Sequence, residues 1–194
     1  MALPRMRMSE PAHATAGLGV VPGVERPSER VRAGAALAGL AAAALVVAHF
    51  GAGDRALVGV VLVAALALLA VTDIERRTLP NLIVLPAFAI VLALQLILFP
   101  ERAHEWILAA LGVGLILLIA AVAKPGGLGY GDVKLGLLLG AGLGEDVVLC
   151  LVIAGFAMWP VAVHLYIRHG RAAGRMSLPF EPFLAVGAVV ALLA

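Results

Sequence analysis

The stretch ALVGVVLVAALALLAV, residues 56–71, decides the fold of this chain. It contains no charged residue and no proline, and Thr72 and Asp73 follow it directly. A helix of about 20 mostly apolar residues crosses the roughly 30 Å hydrocarbon core of a bilayer. The stretch therefore predicts a membrane-spanning helix that ends next to an aspartate.

The composition of the whole chain agrees with this interpretation. Of its 194 residues, 63% are hydrophobic and only 13% are charged, and the mean hydropathy is +1.08. These values exclude a soluble globular domain. The apolar segments are too long and too continuous for the alternating strands of a barrel, and lipid does not tolerate unpaired backbone groups. We therefore expect an all-α, polytopic integral membrane helical bundle.

The apolar segments give the number of crossings. At about 1.5 Å per residue, the fifth segment covers only about half of the hydrocarbon thickness. We predict seven spans, or six if the fifth is re-entrant. Pro80 cannot continue the second helix, and Asn81 is expected to cap the third. The predicted helices are 33–50, 56–72, 82–99, 106–123, 133–143, 147–167 and 178–194.

The basic residues predict the orientation, because cytosolic loops carry an excess of Lys and Arg. Residues 1–32 are expected to form a flexible cytosolic tail without a catalytic role, and residues 33–194 a membrane-embedded domain. The first apolar run begins too late for a secretory signal, so we expect an uncleaved first helix. With seven crossings, only Arg55 and Arg102 of the 14 basic residues fall outside. The carboxyl terminus is then outside, and Asp73 and Asp132 both face the cytosol.

Several classes of site are not expected. Cys150 is the only cysteine and lies in an apolar run, so neither an intramolecular disulfide nor a Cys-x-x-Cys metal site can form. The histidines share no metal-ligand spacing, and no nucleotide-binding loop is present. We expect no metal and no cofactor. Basic residues do not cluster with aromatic ones, so nucleic acid is not an expected partner.

Asp73 and Asp132 are the candidate catalytic residues. Asp73 closes a helix, where the negative end of the helix dipole disfavours an acid. A carboxylate in that setting at membrane depth is a functional candidate. Asp132 alone could equally be an N-cap of the helix that follows it. An even number of predicted crossings separates the two, so they lie on the same side, and two carboxylates that meet at a membrane surface suggest an aspartyl protease.

The residues around Asp132 support this interpretation. Gly129 and Gly131 belong to a glycine-rich loop that would let a backbone or a substrate strand approach the carboxylate closely. Lys134 is expected to be a snorkelling cation, or to tune the charge on Asp132. Other glycines are predicted to let helices pack closely, namely Gly112, Gly114, Gly136 and Gly140.

Three segments resemble the type IV prepilin peptidase family of membrane aspartyl proteases: Asp73 with Leu79-Pro80-Asn81, then GYGDVKL at residues 129–135, and LPFEPFL at residues 178–184. The resemblance implies an endopeptidase of the bacterial inner membrane that cleaves the leader, after a glycine, from type IV prepilin, pseudopilin or Flp-type pilin precursors. Its implied partners are that precursor and membrane lipid. It implies catalytic roles for Asp73 and Asp132, supported by Pro80, Asn81, Gly129, Gly131 and Lys134.

The chain departs from the family pattern in two respects. Full-length members carry a cytosolic segment with paired Cys-x-x-Cys motifs associated with N-methylation, which this sequence lacks. Methyltransferase activity is therefore doubtful, and the chain resembles a short, peptidase-only form. The second departure is Glu181, which stands between two prolines where the family usually has a small residue.

The expected chemistry follows from the acid pair, because two carboxyl groups a few ångströms apart cannot both ionise cheaply and share one proton. One takes a proton from water while the other polarises the scissile carbonyl. Three alternatives remain. A transporter could use the same two acids, a noncatalytic assembly factor could keep the fold, and a presenilin-type protease shares the Gly-x-Gly-Asp element. The last usually has its first aspartate within a helix beside a tyrosine, which Val71-Thr72-Asp73 lacks.

Overall fold

The computed structural model describes residues 29–76, 80–123, 129–170 and 181–194. Every regular element in these ranges is helical, which confirms the predicted all-α fold. Single 3₁₀ turns at Pro100–Arg102 and Gly144–Asp146 precede the fourth and sixth α-helices. The helices are α1 Glu29–Phe50, α2 Asp54–Arg76, α3 Asn81–Leu98, α4 Ala103–Ala123, α5 Tyr130–Leu143, α6 Val147–His169 and α7 Glu181–Leu192.

Five helical segments of the described ranges are long and apolar enough to cross a membrane, which identifies an integral membrane protein. The last of the five contains both α5 and α6, joined by the turn at Gly144–Asp146. Helix α7 is apolar but shorter. The count of seven crossings stays a prediction. The five segments are Arg32–Phe50, Asp54–Asp73, Asn81–Leu98, Pro100–Ala123 and Tyr130–His169.

Helices α1 and α2 pack antiparallel through small residues. A Cβ atom added to Gly39 would lie 2.6 Å from the Cβ of Ala67, and one added to Gly59 would lie 2.7 Å from Cγ1 of Val46. Residue numbers thus rise along α1 as they fall along α2. Glycine permits this approach because it has no side chain to displace the neighbouring helix.

The α4–α5 pair is also antiparallel. Gly140 faces the backbone of Ala110, and Gly136 faces Leu117, nearer the end of α4. A Cβ on Gly140 would lie 2.5 Å from the Ala110 Cα, so only glycine fits at this distance between backbones. The predicted packing role is confirmed for Gly136 and Gly140, and also for Gly114. It is wrong for Gly112, which has no neighbour within 4 Å of an added Cβ.

Helix α5 runs parallel to α3, and a hydrogen bond ties the two helices at each end. The Lys134 Nζ donates to Asn81 Oδ1 at 2.5 Å near the start of both. The Gln95 Nε2 donates to the Gly142 carbonyl oxygen at 3.1 Å near their ends. A re-entrant segment would return to the end at which it began, whereas α5 continues alongside α3 to the opposite end. This geometry favours a crossing.

Helix α7 lies antiparallel to α2 and packs against α6. Leu192 approaches Gly59 near the start of α2, and Glu181 interacts electrostatically with Asp73 near its end. The fully buried Cys150 of α6 donates its thiol to the Leu184 carbonyl oxygen at 3.5 Å. The C-terminal turn of α2 and the first turns of α3, α5 and α7 therefore gather at one end of the bundle, which we call the acidic end.

The core explains why α2 and α5 carry their acids inward. Leu62, Leu66 and Leu69 are spaced as one helical face and are at most 1% exposed. Asp73 follows Leu69 by four residues, so it continues that buried stripe. On α5, the fully buried Leu135 and Leu139 form the equivalent stripe, three and seven residues after Asp132. Side chains of both acids therefore begin on faces that point into the bundle.

Several predicted helix ends are wrong. Helix α2 continues to Arg76, so Asp73 lies inside it rather than after its end. Helix α5 begins at Tyr130, so Asp132 lies within it too. The predicted helices were bounded by the ends of the apolar runs. Polar residues and a first-turn glycine remain compatible with helix outside the apolar core. Helix α1 begins four residues before its predicted start, at Glu29. The first three predicted residues of α7, 178–180, lie outside the described ranges, as does the tail over residues 1–28.

Candidate active site

Asp132 occupies the third position of α5 and is partly buried. The Gly129 N–H donates to its Oδ2 at 3.1 Å, so the carboxylate reaches back to the residue that precedes the helix. This is the N3 half of a capping box. The predicted alternative, in which Asp132 is itself the N-cap, is wrong, because Gly129 holds that position. Asp132 satisfies the helix start and still presents its carboxyl group to the acidic end.

Asp73 lies in the C-terminal turn of α2 and is partly buried. The preceding Thr72 returns its hydroxyl to the Leu69 carbonyl oxygen at 2.8 Å, which helps to satisfy the end of the helix. The carboxylates of Asp73 and Asp132 interact electrostatically. The structure thus brings together the two acids that the sequence singled out, although they lie 59 positions apart in the chain.

Pro80, Asn81 and Lys134 hold the starts of α3 and α5 together. Pro80 stands at the N-cap of α3, and its carbonyl oxygen accepts the N–H groups of Ile83 and Val84 at 3.0 and 3.2 Å. The cap predicted for Asn81 is wrong, because Asn81 is the first helical residue and its side chain accepts from Lys134 instead. This bond fixes α5, and with it Asp132, against α3.

Glu181 is a third acid at this end, and its burial was not predicted. It is the first residue of α7, is only 1% exposed, and interacts electrostatically with both Asp73 and Asp132. None of the residues that the structure describes forms a hydrogen bond to either of its carboxyl oxygens. The available signal was an acid opening an apolar helix that begins on the same side as the aspartates.

Two opposing effects act on the charge of Glu181. The positive end of the α7 dipole stabilises a carboxylate by at most about 2 kcal/mol. Removing that charge from water without a compensating partner costs several kcal/mol, which is more. The cost of desolvation therefore exceeds the stabilisation by the helix dipole, and the neutral form of Glu181 is favoured.

Within the four described ranges, no group of three or more His, Cys, Asp or Glu residues is arranged to hold a metal ion. Asp73, Asp132 and Glu181 are close enough to influence one another's charge. Such a set is suited to proton transfer.

A separate cavity of about 130 Å³ lies at the opposite end of the bundle. It contains Arg55 and Arg102, the two basic residues that were predicted to lie outside. Arg102 forms an ion pair with Glu105 at 2.6 Å and stacks 4.9 Å from the centre of the Trp106 ring. The buried Gln95, which the sequence did not single out, also lines it. Neither Asp73 nor Asp132 lines this cavity, so it is distinct from the acidic end.

Together these features define a class of protein: a polytopic helical membrane protein in which acids from distant helices meet at one end of the bundle. The sequence matches the type IV leader peptidase family over residues 60–163. The chain belongs to this family. The matched region contains both Asp73 and Asp132 and ends before Glu181.

Two curated relatives share the printed name "Prepilin leader peptidase/N-methyltransferase". The protein from Bacillus subtilis (strain 168) is 30% identical over 145 residues, which are 75% of this chain and 58% of that relative. The protein from Burkholderia pseudomallei (strain 1026b) is 34% identical over 165 residues, or 80% of this chain and 52% of the relative. The chain thus spans little more than half the length of these relatives. No solved structure is significantly similar to it.

Proposed function

We propose that this chain is an aspartic-type membrane endopeptidase that cleaves the leader from type IV prepilin-like, pseudopilin or Flp-type pilin precursors. The observation that carries the proposal is the meeting of Asp73 and Asp132 at one end of the bundle, within the region that matches the family. The names of the relatives support the substrate class. The proposal covers peptidase activity alone, because these 194 residues contain one cysteine and no Cys-x-x-Cys pair.

The pair performs the reaction by general acid–base catalysis. Two neighbouring carboxyl groups share one proton, since a second negative charge beside the first is costly. The ionised member removes a proton from water, which attacks the scissile carbonyl carbon. The protonated member donates to the carbonyl oxygen, and a tetrahedral intermediate forms without a covalent bond to the enzyme. A proton returned to the leaving amine completes the cleavage.

The helix ends favour different roles for the two acids. Asp132 accepts the Gly129 N–H and stands near the positive end of the α5 dipole, and both interactions stabilise its ionised form. Asp73 stands near the negative end of the α2 dipole, which favours a proton there. Burial opposes ionisation of Asp132 more strongly than the Gly129 bond favours it. We therefore assign the roles from the two helix dipoles, with Asp132 as the base that activates water and Asp73 as the acid in the first step.

The proposed location is the cytosolic face of the bacterial inner membrane. Arg55 and Arg102 line the cavity at the end opposite Asp73 and Asp132, and that end is therefore the outer one by the distribution of basic residues. An acid pair at the inner end of the helices meets a membrane-inserted precursor where its polar leader joins its apolar helix. The scissile peptide bond of the proposed reaction lies at this junction.

The test is co-expression with a candidate precursor, with precursor size measured in membranes. Asp73→Asn and Asp132→Asn are each expected to lower cleavage by at least about 100-fold, the contribution of a general acid or base. The matched control is Asp54→Asn, the same change in the first turn of α2 at the opposite end, which should cleave normally. Full turnover by either active-site variant would refute the mechanism.

Ion flux and precursor cleavage, measured in the same membranes, distinguish a transporter from the proposed peptidase. That class predicts helices broken at midplane, whereas α3 and α6 remain continuous through Pro86 and Pro160. A presenilin-type site is no longer distinguished by helix position, because Asp73 lies within α2. The family match favours the leader peptidase over both. Ion or proton flux that requires both aspartates, with no cleavage by well-inserted wild-type protein, would support the transporter instead.

A further inference from the structure

Glu181 is a buried acid that the proposed reaction does not use. Its side chain is 1% exposed, and no described residue forms a hydrogen bond to either carboxyl oxygen. It opens α7 at the end of the bundle where α2 ends and α5 begins. A carboxyl group that is buried without a polar partner needs a reason to be there.

We propose that Glu181 is a positioning residue of the acid pair, which stays neutral and holds a second proton beside Asp73 and Asp132. This role rests on the proposed peptidase function. Glu181 does not touch substrate in this account. It acts through its charge state on the proton that the two aspartates share.

The charges that face Glu181 come from two of the helices packed against α7. Asp73 lies on α2 and Asp132 on α5, and both interact with it electrostatically. No titratable group in the described parts of α1 and α6 acts on it. The site therefore contains three coupled carboxyl groups and, among the described residues, no cation that acts on Glu181. One negative charge and two protons form the least costly state.

The direction of the pH effect follows from this state. At alkaline pH Glu181 loses its proton, and its new negative charge makes removal of the last shared proton from the aspartates harder. The active, singly protonated pair thus persists to higher pH in the wild type. Glu181→Gln keeps the shape of a neutral Glu but cannot acquire that charge. Its alkaline loss of kcat/KM is expected at lower pH than in the wild type.

The control for this profile is Glu145→Gln. Glu145 lies in the turn before α6, at the opposite end of the bundle, and its side chain is 81% exposed. Its substitution should leave the alkaline limb in place. An alkaline limb that coincides in the wild type and Glu181→Gln would overturn the proposal.

Infrared spectroscopy of the purified protein tests Glu181 without any precursor. A protonated carboxyl group has a carbonyl stretch distinct from that of a carboxylate. Glu181 is expected to give one such band at neutral pH in the wild type and in Glu145→Gln, in addition to the band of the protonated aspartate, and only the Glu181 band should be missing in Glu181→Gln. If Glu181→Gln keeps all the carboxylic acid bands of the wild type, Glu181 is ionised and the proposal is wrong.

A second variant leaves Glu181 itself intact. In Asp73→Asn/Asp132→Asn, the negative charge beside Glu181 is absent, so its band should disappear at lower pH than in the wild type. An unchanged titration would show that the three acids do not interact, which overturns the proposal. Failure of every precursor to be cleaved would instead refute the proposed function, and the infrared result would remain readable.

Discussion

Asp73 and Asp132 show how single positions on a helix can build a site. Each continues a stripe of buried leucines, so the packing that stabilises α2 and α5 also directs the two carboxyl groups inward. The bond from Lys134 to Asn81 then fixes α5 relative to α3 at the same end. Alignment of the acids thus depends on a polar contact outside the pair.

A double-mutant cycle on Asn81→Ala and Lys134→Ala tests that contact. Because both side chains are largely solvent-accessible, the coupling in unfolding free energy should be no more than about 1 kcal/mol. Cleavage should fall more than this value implies, since α5 loses a tether one residue before Leu135, the start of its buried stripe. Chemical unfolding in detergent and precursor cleavage measure the two effects. Equal cleavage by all four proteins would show that the contact does not align the site.

Helices α4 and α5 depend on close backbone approach. Gly140→Ala would place a Cβ 2.5 Å from the Ala110 Cα and force the helices apart, at a cost of about 1–3 kcal/mol. Gly112→Ala is the matched control on α4, where an added Cβ meets nothing within 4 Å. It should be neutral or slightly stabilising, because alanine favours helix over glycine by up to about 1 kcal/mol. Thermal unfolding compares them, and equal midpoints would contradict the proposed packing.

Apolar runs in the sequence were enough to predict the described helices and the all-α class. They did not predict that α2 ends at Arg76 or that α5 begins at Tyr130, because the limit of apolarity is not the limit of helix formation. The local sequence predicted Asn81 as a helix cap, but its side chain accepts a hydrogen bond from Lys134, 53 positions away. The sequence marks Glu181 as a departure from the family pattern but does not predict its burial, which depends on contacts with α2 and α5. Tertiary contacts of this kind have no local pattern.

For the whole molecule, the alternating directions of the packed helices place the acidic end and the arginine-lined cavity on opposite sides. Orientation can be measured in a Cys150→Ala background, which removes the native thiol. The wild-type Tyr130 side chain is 65% exposed and lies at the acidic end. A membrane-impermeant thiol reagent should therefore reach Tyr130→Cys only from the cytosol. Ala52→Cys, in the exposed connection between α1 and α2, should react only from outside. Labelling of both from one side would refute the topology.

The most direct test of the central claim is whether Asp73 and Asp132 act as one unit. Cleavage rates of a membrane-inserted precursor should be compared for the wild type, Asp73→Asn, Asp132→Asn and the double variant, at equal levels of folded protein. If the acids share one reaction, each single substitution removes nearly all activity, and the double variant is no slower than the singles. A single variant that still turns over freely, or losses that multiply in the double variant, would contradict the shared site.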